Sequence, residues 1–216
     1  MGPGEAQGWA QAGAVGTGHV TVFHLVRHAE HDLLGRVLTG RMPGVSLNER
    51  GRGQALALAR YFSGRPIAAV VSSPLERAQE TAAPIAAALG LDVTTDAGLD
   101  EIDFGDWTGM AFEALQDLPG WQAWNRFRGT ASTPGGEIML AALARALRTL
   151  GRLHRTYPDG GLVLVSHQDI LKALLAQNMG VPLDFMHRFE LAPASRSVLQ
   201  MFDEGNVRVD GLNLPA

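Results

Sequence analysis

The sequence contains no cysteine. Disulfides, thiolate metal sites and cysteine nucleophiles are therefore excluded, and cysteine-based phosphatase chemistry goes with them. The absence of cysteine fits a cytoplasmic protein, which is the expected setting. Positive charge is in short supply: 18 Lys and Arg stand against 22 Asp and Glu, a formal net charge of −4. A general nucleic-acid binder is not indicated, and any affinity for phosphate must come from a local cluster of cations. Lys172 is the only lysine. Arginine suits paired contacts to phosphate, although a GC-rich genome produces the same bias. No apolar run reaches the ~20 residues of a membrane span, so no membrane partner is expected. Residues 1–19 are rich in Gly, Ala and Gln, without the basic and apolar regions of a signal peptide. They are expected to form a flexible leader ahead of a single domain over residues 20–216.

What is present is organised around Val20-Thr21-Val22-Phe23-His24-Leu25-Val26, an apolar, β-branched run that stops at Arg27-His28. Such a run reads as a strand buried on both faces. A second, Ile67 to Val71, runs into Ser72-Ser73-Pro74-Leu75-Glu76-Arg77, and a third, Leu162 to Val165, ends in Ser166-His167. Helical spacing separates them: Leu56, Ala59 and Phe62 after an Asn48 cap, then Leu140, Leu143, Leu147, Leu150 and Leu153. Strands alternating with helices imply a parallel sheet in an α/β fold, whose carboxyl edge is where ligands bind. Arg27, His28, Arg77 and His167 should therefore converge, although they are distant in sequence.

Local chemistry refines the picture. Ser73 and Glu76 have capping-box spacing with Pro74 at the first helical position, which puts Arg77 in the first turn of a helix. Pro84 should kink or break that helix near Glu80, and Gly90 should end it. Leu91 to Thr94 reads as a short strand and Leu99 to Gly109 as an acidic loop. Met110 to Arg128 reads as one helix, and Ser197 to Val209 as a hairpin-like edge. A glycine-rich stretch at residues 13–18 precedes the first strand and so lacks the context of a nucleotide loop. His24 and His28 would lie more than ~13 Å apart on a strand, too far to share a metal, and no metal site is expected. An apolar helix stripe can face a core or a twin subunit, which leaves a homodimer open.

Two arginines can neutralise and grip a phosphomonoester. An imidazole in line with phosphorus can attack it, a second, protonated histidine can stabilise the transferring oxygens, and one carboxyl group can serve as acid and then base. Glu101 is the candidate carboxyl, with Asp103 and Asp106 close by in sequence. Burial would keep it protonated for the first step.

These segments resemble the histidine phosphatase superfamily, in its phosphoglycerate mutase-like branch. The likeness is carried by Leu25-Val26-Arg27-His28-Ala29-Glu30, by Ser72-Ser73-Pro74-Leu75-Glu76-Arg77-Ala78-Gln79-Glu80-Thr81-Ala82, by Glu101-Ile102-Asp103-Phe104-Gly105, by Pro134-Gly135-Gly136-Glu137 and by Val165-Ser166-His167. The resemblance implies a three-layer α/β/α sandwich with a mostly parallel central sheet. It makes His28 the phosphorylated nucleophile, Glu101 the proton donor, and Arg27, Arg77 and His167 the rest of the phosphate pocket, with Thr39, Gly40 and Gln168 as further substrate-binding positions. It also implies a small phosphorylated substrate and no metal or organic cofactor. Ala29 and Gln168 stand where glycine is usual, and His31 and Leu34 fall near positions where the family often carries a phosphate-binding threonine and asparagine. Trp121, Trp124 and Phe127 read as packing residues, Arg126 and Arg128 as groups able to reach the rest of a substrate, and His154 and His187 as histidines without a role. A mutase is the alternative enzyme, disfavoured by the short chain, and a non-catalytic phospho-ligand-binding module is the alternative outside enzymology.

Overall fold

The computed structural model describes residues 18–203 and 205–215; the leader expected at the N-terminus lies outside the described residues as far as residue 17. His19 is already fastened to the domain: its backbone N–H donates to Asp203 Oδ2 at 2.8 Å and its ring meets Asp159 Oδ2 at 2.6 Å.

Six strands form one sheet: β1 (Val20–Arg27), β2 (Ala69–Ser72), β3 (Val93–Thr95), β4 (Gly161–Ser166), β5 (Arg196–Phe202) and β6 (Val207–Leu214). Their order is β3-β2-β4-β1-β5-β6. The first four are mutually parallel and the last two antiparallel, as the hairpin-like C-terminal region suggested. The helices are α1 (Glu49–Phe62), α2 (Glu76–Leu89), α3 (Phe112–Gln116), α4 (Pro119–Arg126), α5 (Met139–Thr156) and α6 (Gln168–Asn178).

Strand alternation sorts the side chains into two cores. Phe23, Leu25, Val71, Leu162 and Leu164 pack with the apolar faces of α5 and α6. Val26, Val70, Val163 and Val165 pack with α1 and α2 on the opposite face. This is the three-layer sandwich that the family resemblance implied, with its apolar strands buried on both faces. Among the described residues no helix is long and apolar enough to cross a membrane. Lys172 is fully buried on α6 and reaches out to pair with Glu190 at 2.9 Å.

Several local expectations are corrected. Ser73 does not cap α2; Leu75 is the N-cap residue, without a side-chain cap, and Glu76 accepts instead from the Gly44 N–H at 3.0 Å. Pro84 lies inside a continuous α2, because Ala78, Ala82, Ile85 and Ala86 are buried on both sides of it and packing carries the helix past the missing bond. The helix expected from Met110 to Arg128 is two short ones, since Pro119 restarts the chain at the first turn of α4. Leu56 and Leu140 are exposed, at 53% and 50%, so each apolar stripe is narrower than its periodicity implied.

Register then positions the site. Ser72 lies opposite Val165 and Arg27 opposite Ser166, so the carboxyl ends of β2, β4 and β1 finish side by side, with β4 in the middle. Backbone bonds continue the alignment one residue further: His28 N–H donates to Ser166 O and Ser73 N–H to Val165 O, both at 2.9 Å.

Candidate active site

The strand ends open into a cavity of about 450 Å³. Arg27, His28, Thr39, Gly40, Arg77, Glu101 and Gln168, the residues singled out from sequence, all line it. His167 lies behind the lining, wholly buried, with its ring 5.2 Å from that of His28.

His28 leaves β1 already oriented. Its Nδ1 sits 2.8 Å from the Ala29 carbonyl, which can only accept, so Nδ1 carries the proton and Nε2 is left with a lone pair. Burial first, then the charges of Arg77 and Arg27, hold its pKa well below the ordinary value, so the ring is neutral. A neutral Nε2 is the form a nucleophile needs.

The two guanidiniums are anchored on one side and free on another. Arg27 Nη1 donates to Leu191 O at 2.6 Å and Arg77 Nη2 to Gly40 O at 2.6 Å. Arg27 Nε, Arg77 Nε and Arg77 Nη1 are buried donors without a protein partner among the described residues. Buried N–H groups of this kind are costly unless an anion takes them. Arg77 lies in the first turn of α2, where the helix dipole favours a bound anion as the guanidinium does.

Glu101 lies in the loop after the Ala97–Leu99 turn and is 8% exposed. Its Oε1 accepts from the Ile102 N–H at 3.0 Å. Burial, reinforced by the nearby charge of Asp169, pushes its pKa up to about 7. The backbone is braced independently: Arg41 Nε and Arg145 Nη2 donate to Glu101 O at 2.8 and 3.0 Å, and both arginines pair with Glu137. The alternatives within the same loop are otherwise engaged. Asp103 Oδ1 accepts from the Gly105 N–H at 2.9 Å, and Asp106 is exposed.

Further residues line the cavity, most of them missed by sequence reasoning. Asn125, Asp169, His187, Phe104 and Phe112 line it, together with His31, whose ring is 5.3 Å from that of His28. Burial and the two arginines lower the His31 pKa to about 4. His187, read from sequence as a surface or core histidine, is an exposed residue at the edge of the cavity. Arg128 reaches the cavity as supposed, but bound: Nη1 pairs with Asp169 Oδ2 at 2.9 Å, Nη2 donates to Asn125 Oδ1 at 3.0 Å, and its guanidinium lies 4.9 Å over the Trp124 ring. Trp121 also faces the cavity, whereas Trp124 is core. The adjacency of Asp169 to Gln168 at the start of α6 was the one available sequence signal. Among the described residues no group of His, Asp and Glu is arranged to hold a metal.

Comparisons with known proteins point to one family. A family model described as the histidine phosphatase superfamily (branch 1) matches residues 23–214. A bifunctional protein of Mycobacterium tuberculosis is 39% identical over 204 residues, covering 92% of this chain but 54% of its own length. The chain thus spans about half the length of the first curated relatives it matches. Phosphoserine phosphatase 1 of Hydrogenobacter thermophilus is 32% identical over 188 residues, 85% of this chain and 88% of that protein. The solved structure of mycobacterial glucosyl-3-phosphoglycerate phosphatase superposes with a TM-score of 0.81 at 28% identity, covering 90% of this chain and 99% of that one.

Proposed function

This chain belongs to the histidine phosphatase superfamily, and on that premise we propose that it hydrolyses phosphomonoesters of small metabolites through a phosphohistidine formed on His28. The carrying observation is that a neutral, oriented imidazole, unpartnered arginine N–H groups and a raised-pKa carboxyl meet in one cavity.

In this reading Arg27 and Arg77 grip the phosphoryl oxygens, and His28 Nε2 attacks phosphorus while the ester P–O bond breaks. Glu101, protonated, gives its proton to the leaving alkoxide. The resulting carboxylate then takes a proton from water, which attacks the phosphohistidine and releases inorganic phosphate. Both half-reactions pass through similar charge at phosphorus, and His167 supports the oxygens on the side facing His28. Thr39, Gly40 and Gln168 border the phosphate, and the wall of Asn125, Arg128, Asp169 and His187 receives the remainder of the substrate.

Named relatives act on phosphoserine and glucosyl-3-phosphoglycerate, and a structural neighbour at 28% identity is a putative α-ribazole-5′-phosphate phosphatase. All three are small and polar, which supports the metabolite class. A cytoplasmic setting fits such substrates.

The test is phosphate release from p-nitrophenyl phosphate and a panel including phosphoserine and 3-phosphoglycerate, with wild type and His28→Ala. Release by wild type, abolished in the variant, is expected. Isomerisation of 3-phosphoglycerate without release would make it a mutase, and no turnover of any ester would leave a phospho-ligand binder.

A further inference from the structure

Polar groups with no part in the hydrolysis scheme stand in line behind His167. Its Nε2 is 2.8 Å from Ser73 Oγ. Ser73 Oγ is 2.8 Å from Asp100 Oδ1 and accepts the Leu75 N–H at 3.2 Å. His167 and Ser73 are wholly buried, and Asp100 is partly so. The alignment is built into the sheet, because the register of β2 on β4 sets the residues that follow each strand beside one another.

A proton inventory fixes the direction of the chain. An ionised carboxylate only accepts, and a serine hydroxyl has a single proton to give. Ser73 gives that proton to Asp100, so its oxygen can only accept from His167. Nε2 is therefore the protonated nitrogen. Nδ1, buried and without a partner among the described residues, is the nitrogen left for a ligand.

We propose that Asp100, acting through Ser73, is a positioning residue that holds His167 in its Nε2–H form and stabilises the imidazolium formed when Nδ1 takes a proton and hydrogen-bonds a phosphoryl oxygen held between His167 and His28. The proposal rests on the phosphohistidine reading above. The proton comes from solvent, drawn in as the bound anion offsets the arginines. In the free protein, burial together with the charges of Arg77, Arg145 and Arg27 keeps the ring neutral. Burial raises the Asp100 pKa, and the hydrogen bond from Ser73 and the charges of Arg41, Arg145 and Arg77 work against that and favour the carboxylate. The carboxylate thus plays the orienting part that a directly bonded aspartate plays in a hydrolase triad, with a hydroxyl interposed.

The test is two-bond 1H–15N correlation NMR of the full chain with labelled imidazoles, with and without inorganic vanadate, alongside steady-state kinetics on p-nitrophenyl phosphate. Wild-type His167 is expected to show protonated Nε2 and bare Nδ1 when free, and both nitrogens protonated with vanadate. Ser73→Ala is expected to mix the tautomers and lower kcat about 10- to 100-fold, with KM changing less than about threefold. Asp100→Asn keeps an acceptor for Ser73, so the tautomer should persist. The pH at which the vanadate complex loses its imidazolium should fall by about one unit. This near-isosteric variant carries the test if Ser73→Ala fails to fold. A free wild-type His167 protonated on Nδ1 overturns the relay, as do variants that match wild type in tautomer, vanadate protonation and kcat. The free-state tautomer is read without turnover, so absence of phosphatase activity would strike the hydrolysis reading and not this one.

Discussion

The backbone N–H of Asp169 points at Glu101 Oε2, 3.4 Å away, and places two buried carboxyl groups side by side at the start of α6. Two such groups cannot both ionise cheaply. Arg128 decides which one does: its ion pair with Asp169 keeps that carboxyl below its ordinary pKa, so the proton resides on Glu101. A residue read from sequence as a possible substrate contact is thus also part of the acid's electrostatics.

That arrangement sets the pH profile. Glu101 must be protonated to act as acid, and its pKa is raised to about 7, so kcat/KM should decline as pH rises through about 7. His28, with a lowered pKa, stays neutral and reactive well below that. Asp169→Asn removes a negative neighbour and leaves Arg128 less compensated; both effects lower the Glu101 pKa. The decline should move to lower pH, measured as kcat/KM across pH 4–9. A basic limb unmoved by the variant would mean that another group sets it.

Removing the acid should expose the leaving group. Glu101→Gln is expected to lower kcat about 10²- to 10⁴-fold on alkyl phosphates such as phosphoserine. The loss should be much smaller in the first step with p-nitrophenyl phosphate, whose phenolate departs with little proton assistance. Burst kinetics separate the steps: a phenolate burst followed by slow turnover is expected, because hydrolysis of the phosphohistidine still lacks its base. Equal losses for both esters in the burst would remove Glu101 from the role of acid.

Arg77 is expected to resist conservative exchange. Its Nη2 is spent on Gly40 O, while Nε and Nη1 are the buried donors aimed at an anion. Lysine presents one ammonium and cannot do both. Arg77→Lys should weaken vanadate binding about 10- to 100-fold, as loss of a charge-assisted pair of hydrogen bonds implies. Isothermal titration reads this directly. Affinity within twofold of wild type would show that Arg27 alone holds the phosphoryl group.

The cluster of Arg27, His28, Arg77 and His167 was legible because it rides on strand ends. Apolar β-branched runs that halt at Arg27-His28, Ser72-Ser73 and Ser166-His167 announce both a buried strand and the edge where it stops, and parallel pairing does the rest. The wall lined by Asn125, Arg128 and His187 had no such signal. Asn125 and Arg128 come from α4 and the turn after it, and His187 from a 3-10 segment, where no period marks the inward face. Ser73 misled for a physical reason: its hydroxyl is claimed by Asp100 and His167, residues distant in sequence, so the helix it precedes goes uncapped. Pro84 misled because local propensity yields to a helix whose buried face continues on both sides of it.

Two glycines in the acidic loop should respond differently to the same substitution. Gly105 and Gly109 both have positive φ, +54° and +86°, so alanine carries backbone strain at either, about 1–2 kcal/mol. At Gly109 a Cβ meets nothing within 4 Å, and Gly109→Ala should cost little beyond that strain. At Gly105 it would sit 2.0 Å from Pro134 O and 2.6 Å from Gly136 N, backbone atoms that cannot swing aside. That contact interlocks the acidic loop with the turn before α5: Asp106 N–H donates to Pro134 O and Glu137 N–H to Asp103 O. Glu137 in turn anchors Arg41 and Arg145, which hold the Glu101 carbonyl. Gly105→Ala should therefore destabilise by at least about 3 kcal/mol and lower kcat more than it raises KM, because the acid shifts while the arginines stay in place. Denaturant unfolding and steady-state kinetics on the two variants check both parts. Equal stability of the two would mean that the loop and the turn are not locked together through this glycine.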